Sequence, residues 1–212
     1  MVQAPGRLNL IGEHTDYNGG FVLPAAVGLR TLVGIATRPD HQLLIPSENF
    51  SERVEFEVEN LPASPRYHWS DYVVGVAKEF HEQVGALRGM NLLIQRNVPQ
   101  GSGLSSSASI EVAVFCALCE LRGAKFDGVR TAKLCQRAEN EFVGARRGIM
   151  DPFVALCGRK SHAVLLDCDR LLPIAAGCAW SCAIRWCGTR CREESTIGGG
   201  RSAKLVHGFF AE

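Results

Sequence analysis

The chain has 212 residues, 46% of them apolar and 21% charged, with a formal net charge of +1. This is the profile of an ordinary globular protein long enough to bury a sizeable core, and its near-neutral balance gives no reason to expect nucleic acid or a membrane surface as partner. No apolar run approaches the roughly 20 residues of a membrane span. The opening MVQAPGRLNL also lacks the basic-then-apolar pattern of a secretory signal, so a cytoplasmic monomer is expected. Nine cysteines, an odd count without a signal, argue against a disulfide framework. Four of them (Cys178, Cys182, Cys187 and Cys191) fall at spacings unlike the paired CxxC of a zinc site.

In chain order, residues 1–20 read as an extended entry followed by a glycine-rich polar loop, GEHTDYNGG. Strands are predicted over 21–37 and 41–47, and VEFEV at 54–58 alternates apolar and acidic residues as a half-buried strand should. Leu61 to Pro65 is a connection. Residues 69–85 have helical spacing, with Ser70 as the N-cap. A strand at 90–98, helices at 104–122 and 129–145, and a strand at 161–168 complete the pattern. Strands and helices mix, which predicts an α+β or mixed α/β domain. Near Ala175 the text changes character and loses any period of 2 or 3.6 residues.

The strongest local signal is Asn97-Val-Pro-Gln-Gly-Ser-Gly-Leu-Ser-Ser-Ser-Ala108, between a predicted strand and a predicted helix. Gly101 and Gly103 allow a tight turn and close approach of backbone to a ligand. Ser105, Ser106 and Ser107 are expected in the first helical turn, where unpaired N–H groups and the positive end of the helix dipole favour phosphate. The lysine of a Walker A loop is absent. A plain Gly/Ser turn with a serine cap is the competing explanation.

Two further segments decide between them. Pro99-Gln-Gly101-Ser102-Gly103-Leu104-Ser105-Ser106-Ser107-Ala108 resembles the nucleotide loop of the GHMP kinases. Gly6-Arg7-Leu-Asn9 through Gly12-Glu13-His14-Thr15-Asp16-Tyr17-Asn18-Gly-Gly20 resembles the galactokinase signature, and Gly148-Ile149-Met150-Asp151 resembles that family's catalytic segment. The resemblance runs from about residue 2 to residue 174. It implies the GHMP kinase fold, an α+β fold with an N-terminal domain like domain 2 of ribosomal protein S5, and transfer of phosphate from ATP to galactose with Mg²⁺.

By resemblance, Asp151 is the base and Arg7 stabilises the transferring phosphoryl group. Glu13, His14, Thr15 and Asp16 contact the sugar. Gly101, Ser102, Gly103, Leu104, Ser105, Ser106 and Ser107 hold the nucleotide, with Ser47 as an additional contact, and Ser107 and Glu139 hold Mg²⁺. Taken singly, each has a plainer reading. Asp151 is a helix N-cap, Arg7 a surface arginine, Glu13 and Asp16 carboxylates bound to their own loop, and Glu139 part of a solvated helical face. Cys116 and Cys119 read as buried small hydrophobes.

The chain departs from the family in several places. Pro152 stands where the pattern has Gln, and Arg147 where a small residue or Cys is usual. The family also has a segment upstream of the signature and continues well beyond residue 174. Back-translated and shifted by one base, the segment from Gly177 can read VRLVVCNSMVRHEVPGGEYNRRR, which resembles the family's VRHE and GGEYN runs. Residues 1–174 are therefore expected to form the nucleotide- and sugar-binding domain and 175–212 an out-of-frame tail. A catalytically dead fragment and a galactose or ATP sensor are the competing functions.

Overall fold

In the computed structural model, residues 1–125 and 127–173 are described. The domain limit at 174, the tail over 175–212 and its four cysteines lie outside the described residues. The frame of the fold is a five-stranded sheet ordered β1-β3-β6-β4-β5, made of β1 (Val2–Asn9), β3 (Pro24–Thr37), β6 (Met90–Arg96), β4 (Gln42–Ser47) and β5 (Glu52–Glu57). Neighbours run antiparallel except β4 and β6, which are parallel and need a long crossover between them. That crossover carries α1 (Asp71–Gln83).

Alternation sets the buried face of the sheet. Val2 and Ala4 on β1, Val33 on β3, Leu43 and Ile45 on β4, and Leu92 and Ile94 on β6 are all buried. Against this layer lie α2 (Ser106–Arg122) and α4 (Met150–Cys157), with α1 and α3 (Gly128–Arg137) packed on α2. In α2 every residue from Ala108 to Cys119 is buried, so this helix is the centre of the core. Phe80 of α1 and Phe115 of α2 meet edge-to-face with ring centroids 5.5 Å apart. Cys116 and Cys119 are buried free thiols whose ionisation burial pushes upward, that of Cys119 to about 11.

Three predicted elements differ in detail. The strand over 21–37 divides at Leu23: β2 (Phe21–Val22) pairs with β7 (Leu166–Asp167) in a second sheet, and only Pro24–Thr37 joins the main one. The strand over 161–168 contracts to β7, because Ser161 has positive φ and only an isolated bridge, Ala25 to Ala163, precedes it. The third helix changes winding: α3 ends at Arg137 and continues as a π-helical turn, Ala138–Val143, a geometry that turns side chains out of α-helical register. Ser70 sits at the α1 N-cap without a capping bond. Asp71 closes that end instead, its Oδ2 accepting from the Arg66 and His68 amides at 2.9 and 3.0 Å.

Replacing Phe115 by Ala should remove the edge-to-face partner of Phe80 and leave a cavity. The expected loss of about 3–5 kcal/mol would be read as a lower urea midpoint at unchanged m-value.

Candidate active site

The Gly/Ser loop connects β6 to α2. Gly101 and Gly103 adopt φ of +71° and +73°, and a Cβ on either would meet nothing within 4 Å, so backbone conformation alone requires glycine there. Ser102 closes the turn by donating its hydroxyl to the Pro99 carbonyl at 2.8 Å. The helix begins at Ser106, two residues later than the predicted start at 104. Ser105 is its N-cap, in the left-handed region with φ of +55°. The Ser109 amide bonds to the Ser105 carbonyl at 3.1 Å, so the amides of Ser106, Ser107 and Ala108 form the open helix end.

Arg7 reaches this loop from β1. The register of β1 against β3 shifts between Pro5 and Arg7, a bulge that re-aims the strand. At Gly6 a Cβ would lie 2.6 Å from the Leu104 carbonyl, so glycine lets the strand and the loop touch. The Arg7 amide then bonds Leu104 at 3.1 Å and its Nη1 bonds the Gly103 carbonyl at 2.6 Å. Both Nε and Nη2 lie 2.6 Å from Asp151 Oδ1. Ser105 donates its hydroxyl to Asp151 Oδ2. Asp151 is the second residue of α4, with Ile149 at the cap position, and neither it nor Arg7 is a surface group: their side chains are 13% and 14% exposed. Pro152 follows in the first turn, where no intrahelical bond is lost, and Phe153 already bonds back to Ile149.

The polar loop after β1 meets the same helix. Asp16 is buried and its Oδ1 accepts from the Met150 amide at 3.0 Å. Burial holds its carboxyl above the usual range, with the Met150 amide pulling the other way. A Cβ on Gly148 would fall 2.0 Å from the Asp16 carboxyl, so glycine makes the room for this contact. Glu13 and His14 stand exposed at the tip, His14 Nδ1 lying 2.6 Å from the Tyr17 hydroxyl. Thr15, expected among the sugar contacts, is exposed, but its hydroxyl is shared between the Gly12 and Phe21 carbonyls at 3.0 and 2.7 Å and pins the loop.

Glu139, expected by resemblance to hold Mg²⁺ and on its plainer reading to lie on a solvated face, is 1% exposed in the π-helical turn, close enough to Ser107 for that hydroxyl to favour its charged form. Burial raises its ionisation and Asp151 adds to that, while Arg147 and Arg7 oppose it. One turn along α2, Glu111 is completely buried, and neither carboxyl oxygen has a hydrogen-bond partner among the described residues. Burial, then Glu139 and Asp151, push it well above the carboxylate range. Among the described residues no three His, Cys, Asp or Glu side chains converge as a metal cage. Ser107 and Glu139 are oxygen donors alone, a set that suits Mg²⁺ completed by phosphates and water.

A cleft of about 630 Å³ opens over the Gly/Ser loop, Arg7 and Asp151. Its opposite wall holds residues that the sequence did not single out. Phe50 and Trp69 stack with centroids 5.0 Å apart and planes 8° from parallel, and the Arg96 guanidinium sits 4.9 Å from the Phe50 ring. Tyr67 and Tyr72 also line it, as does Arg147, which the sequence marks as a departure from the family pattern. Ser47 does not: it lies in β4 between β5 and β6, 4% exposed, with its hydroxyl turned into the core.

Comparison with known proteins places this geometry. The family model for the GHMP kinases N terminal domain matches residues 71–159, and the one for the galactokinase galactose-binding signature matches residues 1–37. Among solved structures, Lactococcus lactis galactokinase complexed with galactose is 36% identical with a TM-score of 0.75, over 82% of this chain and 46% of that one. The chain belongs to the GHMP kinases. The mevalonate kinase of Methanococcus jannaschii shares the fold at 16% identity and a TM-score of 0.70, over 82% of this chain and 55% of its own. The present GHMP kinase chain therefore spans about half the length of the solved structures it matches. Among its described residues no helix is long and apolar enough to cross a membrane.

Two outcomes follow from the geometry of this site. Gly148→Ala should displace Asp16 from the α4 amides and cost about 1–3 kcal/mol, read by thermal or urea unfolding. Glu111 ionises near 4.5 when unfolded and holds its proton well above that when folded. Its contribution to stability is therefore complete below the unfolded value and is lost as pH rises toward the folded one. Glu111→Gln should flatten the decline of unfolding free energy as pH rises above the unfolded value of 4.5.

Proposed function

We propose that this chain transfers the γ-phosphate of ATP to the anomeric hydroxyl of galactose, acting as a cytoplasmic monomer without nucleic-acid or membrane partners. The observation that carries this reading is the Arg7–Asp151–Ser105 cluster. It lies where the Gly/Ser loop, the signature loop and α4 meet, in a chain whose first 37 residues match the galactose-binding signature. The galactose held by the 36% identical galactokinase supports the choice of sugar.

The chemistry asked of these residues is mainly positioning and charge neutralisation. Glu13 and His14 at the loop tip offer a carboxylate and an imidazole to sugar hydroxyls, and Asp16 holds the root of that loop against α4. Asp151 takes the proton of the attacking hydroxyl as the new O–P bond forms and the bond to ADP breaks. Arg7 and the open amides of Ser106, Ser107 and Ala108 face the charge on the phosphoryl oxygens. Ser107 and Glu139 would hold Mg²⁺, which supplies further neutralisation of the phosphates when bound. Arg147 adds a third guanidinium to the cleft beside those of Arg7 and Arg96, and the Phe50–Trp69 stack offers an apolar face suited to a planar base.

Incubating the purified chain with ATP, Mg²⁺ and galactose should yield galactose 1-phosphate, and Asp151→Ala should lower the rate by about 10²–10⁴-fold. Galactose or ATP binding without turnover in the unaltered chain would instead mark a sensor. Neither binding nor turnover would mark a dead member of the family.

A further inference from the structure

The aromatic wall of the cleft is assembled from three separate stretches of chain. Phe50 stands in the turn between β4 and β5, Arg96 ends β6 just before the Gly/Ser loop, and Trp69 precedes α1. Asn49 clamps the first two together. Its Nδ2 donates to the Arg96 carbonyl at 2.8 Å, and its Oδ1 accepts from the Arg96 amide at 2.7 Å. The hairpin turn is thereby held against the end of β6, with Phe50 beside the Arg96 guanidinium.

Trp69 is held differently. Asp71 takes the Arg66 and His68 amides and so fixes the backbone ahead of it. Rotation of the indole about its side-chain bonds is left to be set. Two hydrogen bonds tie the hairpin to this segment, and both end on Glu52 Oε2, at the start of β5. Trp69 Nε1 donates to it at 2.8 Å, and His68 Nε2 lies 3.0 Å away. His68 is itself steadied by Ser70, whose hydroxyl lies 2.9 Å from Nδ1. An indole has one polar atom, and that atom only donates, so its single bond sets how the ring is turned. The Trp69 N–H holds the Glu52 carboxyl below the usual carboxylate range, with burial opposing and His68 pulling the same way. The acceptor is therefore charged at neutral pH, which makes for a strong bond. Glu52 stands behind the ring: Phe50 and Trp69 line the cleft and Glu52 does not.

We infer that Glu52 is a positioning residue for nucleotide binding, its carboxylate fixing the Trp69 indole flat against Phe50 as a preformed stacking face for the base. This rests on the reading of the cleft as the ATP site. A ring already in place loses no rotamer freedom when a base stacks on it. Without the acceptor, the indole N–H turns to water, the ring samples other rotamers, and each binding event must order it again. The benefit falls on the base, because in the proposed function the phosphates are met by Arg7 and the Gly/Ser loop.

Calorimetry on the full chain with Mg²⁺ and either ADP or inorganic pyrophosphate tests it, since pyrophosphate offers phosphates without a base. Trp69→Ala should weaken ADP by about 10–100-fold and leave pyrophosphate unaltered. Glu52→Leu, which removes the acceptor at similar size, should weaken ADP by about 3–10-fold and also spare pyrophosphate. Glu52→Gln, which still accepts from the indole, should retain most of the ADP affinity. Added to Trp69→Ala, Glu52→Leu should change nothing further, because its effect passes through the ring. The inference is overturned, with the stacking reading intact, if Trp69→Ala weakens ADP and Glu52→Leu does not. It is likewise overturned if Glu52→Leu weakens both probes alike, acts equally with and without Trp69, or fails to fold, or if Glu52→Gln loses as much as Glu52→Leu. ADP affinity untouched by Trp69→Ala overturns the stacking reading and this inference with it. An unaltered chain that binds neither probe overturns the nucleotide reading as well.

Discussion

Arg7 makes contacts that no other side chain in the molecule could replace at once. Its guanidinium grips Asp151 through two nitrogens and the Gly103 carbonyl through a third, while its own amide holds Leu104. One residue thereby joins the edge strand of the sheet, the Gly/Ser loop and the first turn of α4. The bulge at Gly6 is what makes this reach possible, because a regular strand would send the side chain along the pleat instead of toward the loop. With both charges mostly withdrawn from solvent, losing either would leave the other buried without its partner, a larger penalty than the pair's own attraction suggests.

Around that pair the molecule divides its polar groups by task. Hydroxyls that look like ligand contacts in the sequence often serve the backbone: Thr15 and Ser102 each donate to carbonyls of their own loops. Those turned instead to carboxylates of the cleft region are Ser105, on Asp151, and Ser107, near Glu139. Rigid placement of a few groups matters more here than their number, because positioned groups in a partly dry site need little reorganisation when charge moves.

Much of the fold could be read from period and punctuation. VEFEV does alternate as β5 with Phe56 inward, and the apolar run after the Gly/Ser loop is a buried helix. Less could be read where one residue type serves two purposes. Serine at 105 reads as a first-turn residue, but the structure gives it a left-handed cap, a conformation that its composition does not announce. Glu139 in QRAENEF has the look of a solvated face, since nothing local signals the change to π winding that buries it. Ser47 points inward because its strand is interior, which only the sheet order reveals. Glu111 did carry a signal: a lone acid inside a helical run otherwise apolar on all sides. Phe50 and Trp69 carried none, because their meeting depends on where β5 returns the chain.

The bond from Asp16 to the α4 amide divides the signature loop into a root and a tip. The root is shared with the helix that bears Asp151 and is locked by the bare α-carbon of Gly148. The tip, with Glu13 and His14, hangs free of it. Under the proposed function, substitutions at the tip would alter which hydroxyls are recognised without disturbing the carboxylate beside Arg7. A change at the root alters both together. On that proposal the architecture separates the choice of acceptor from the aim of the base, and allows one to drift while the other is kept.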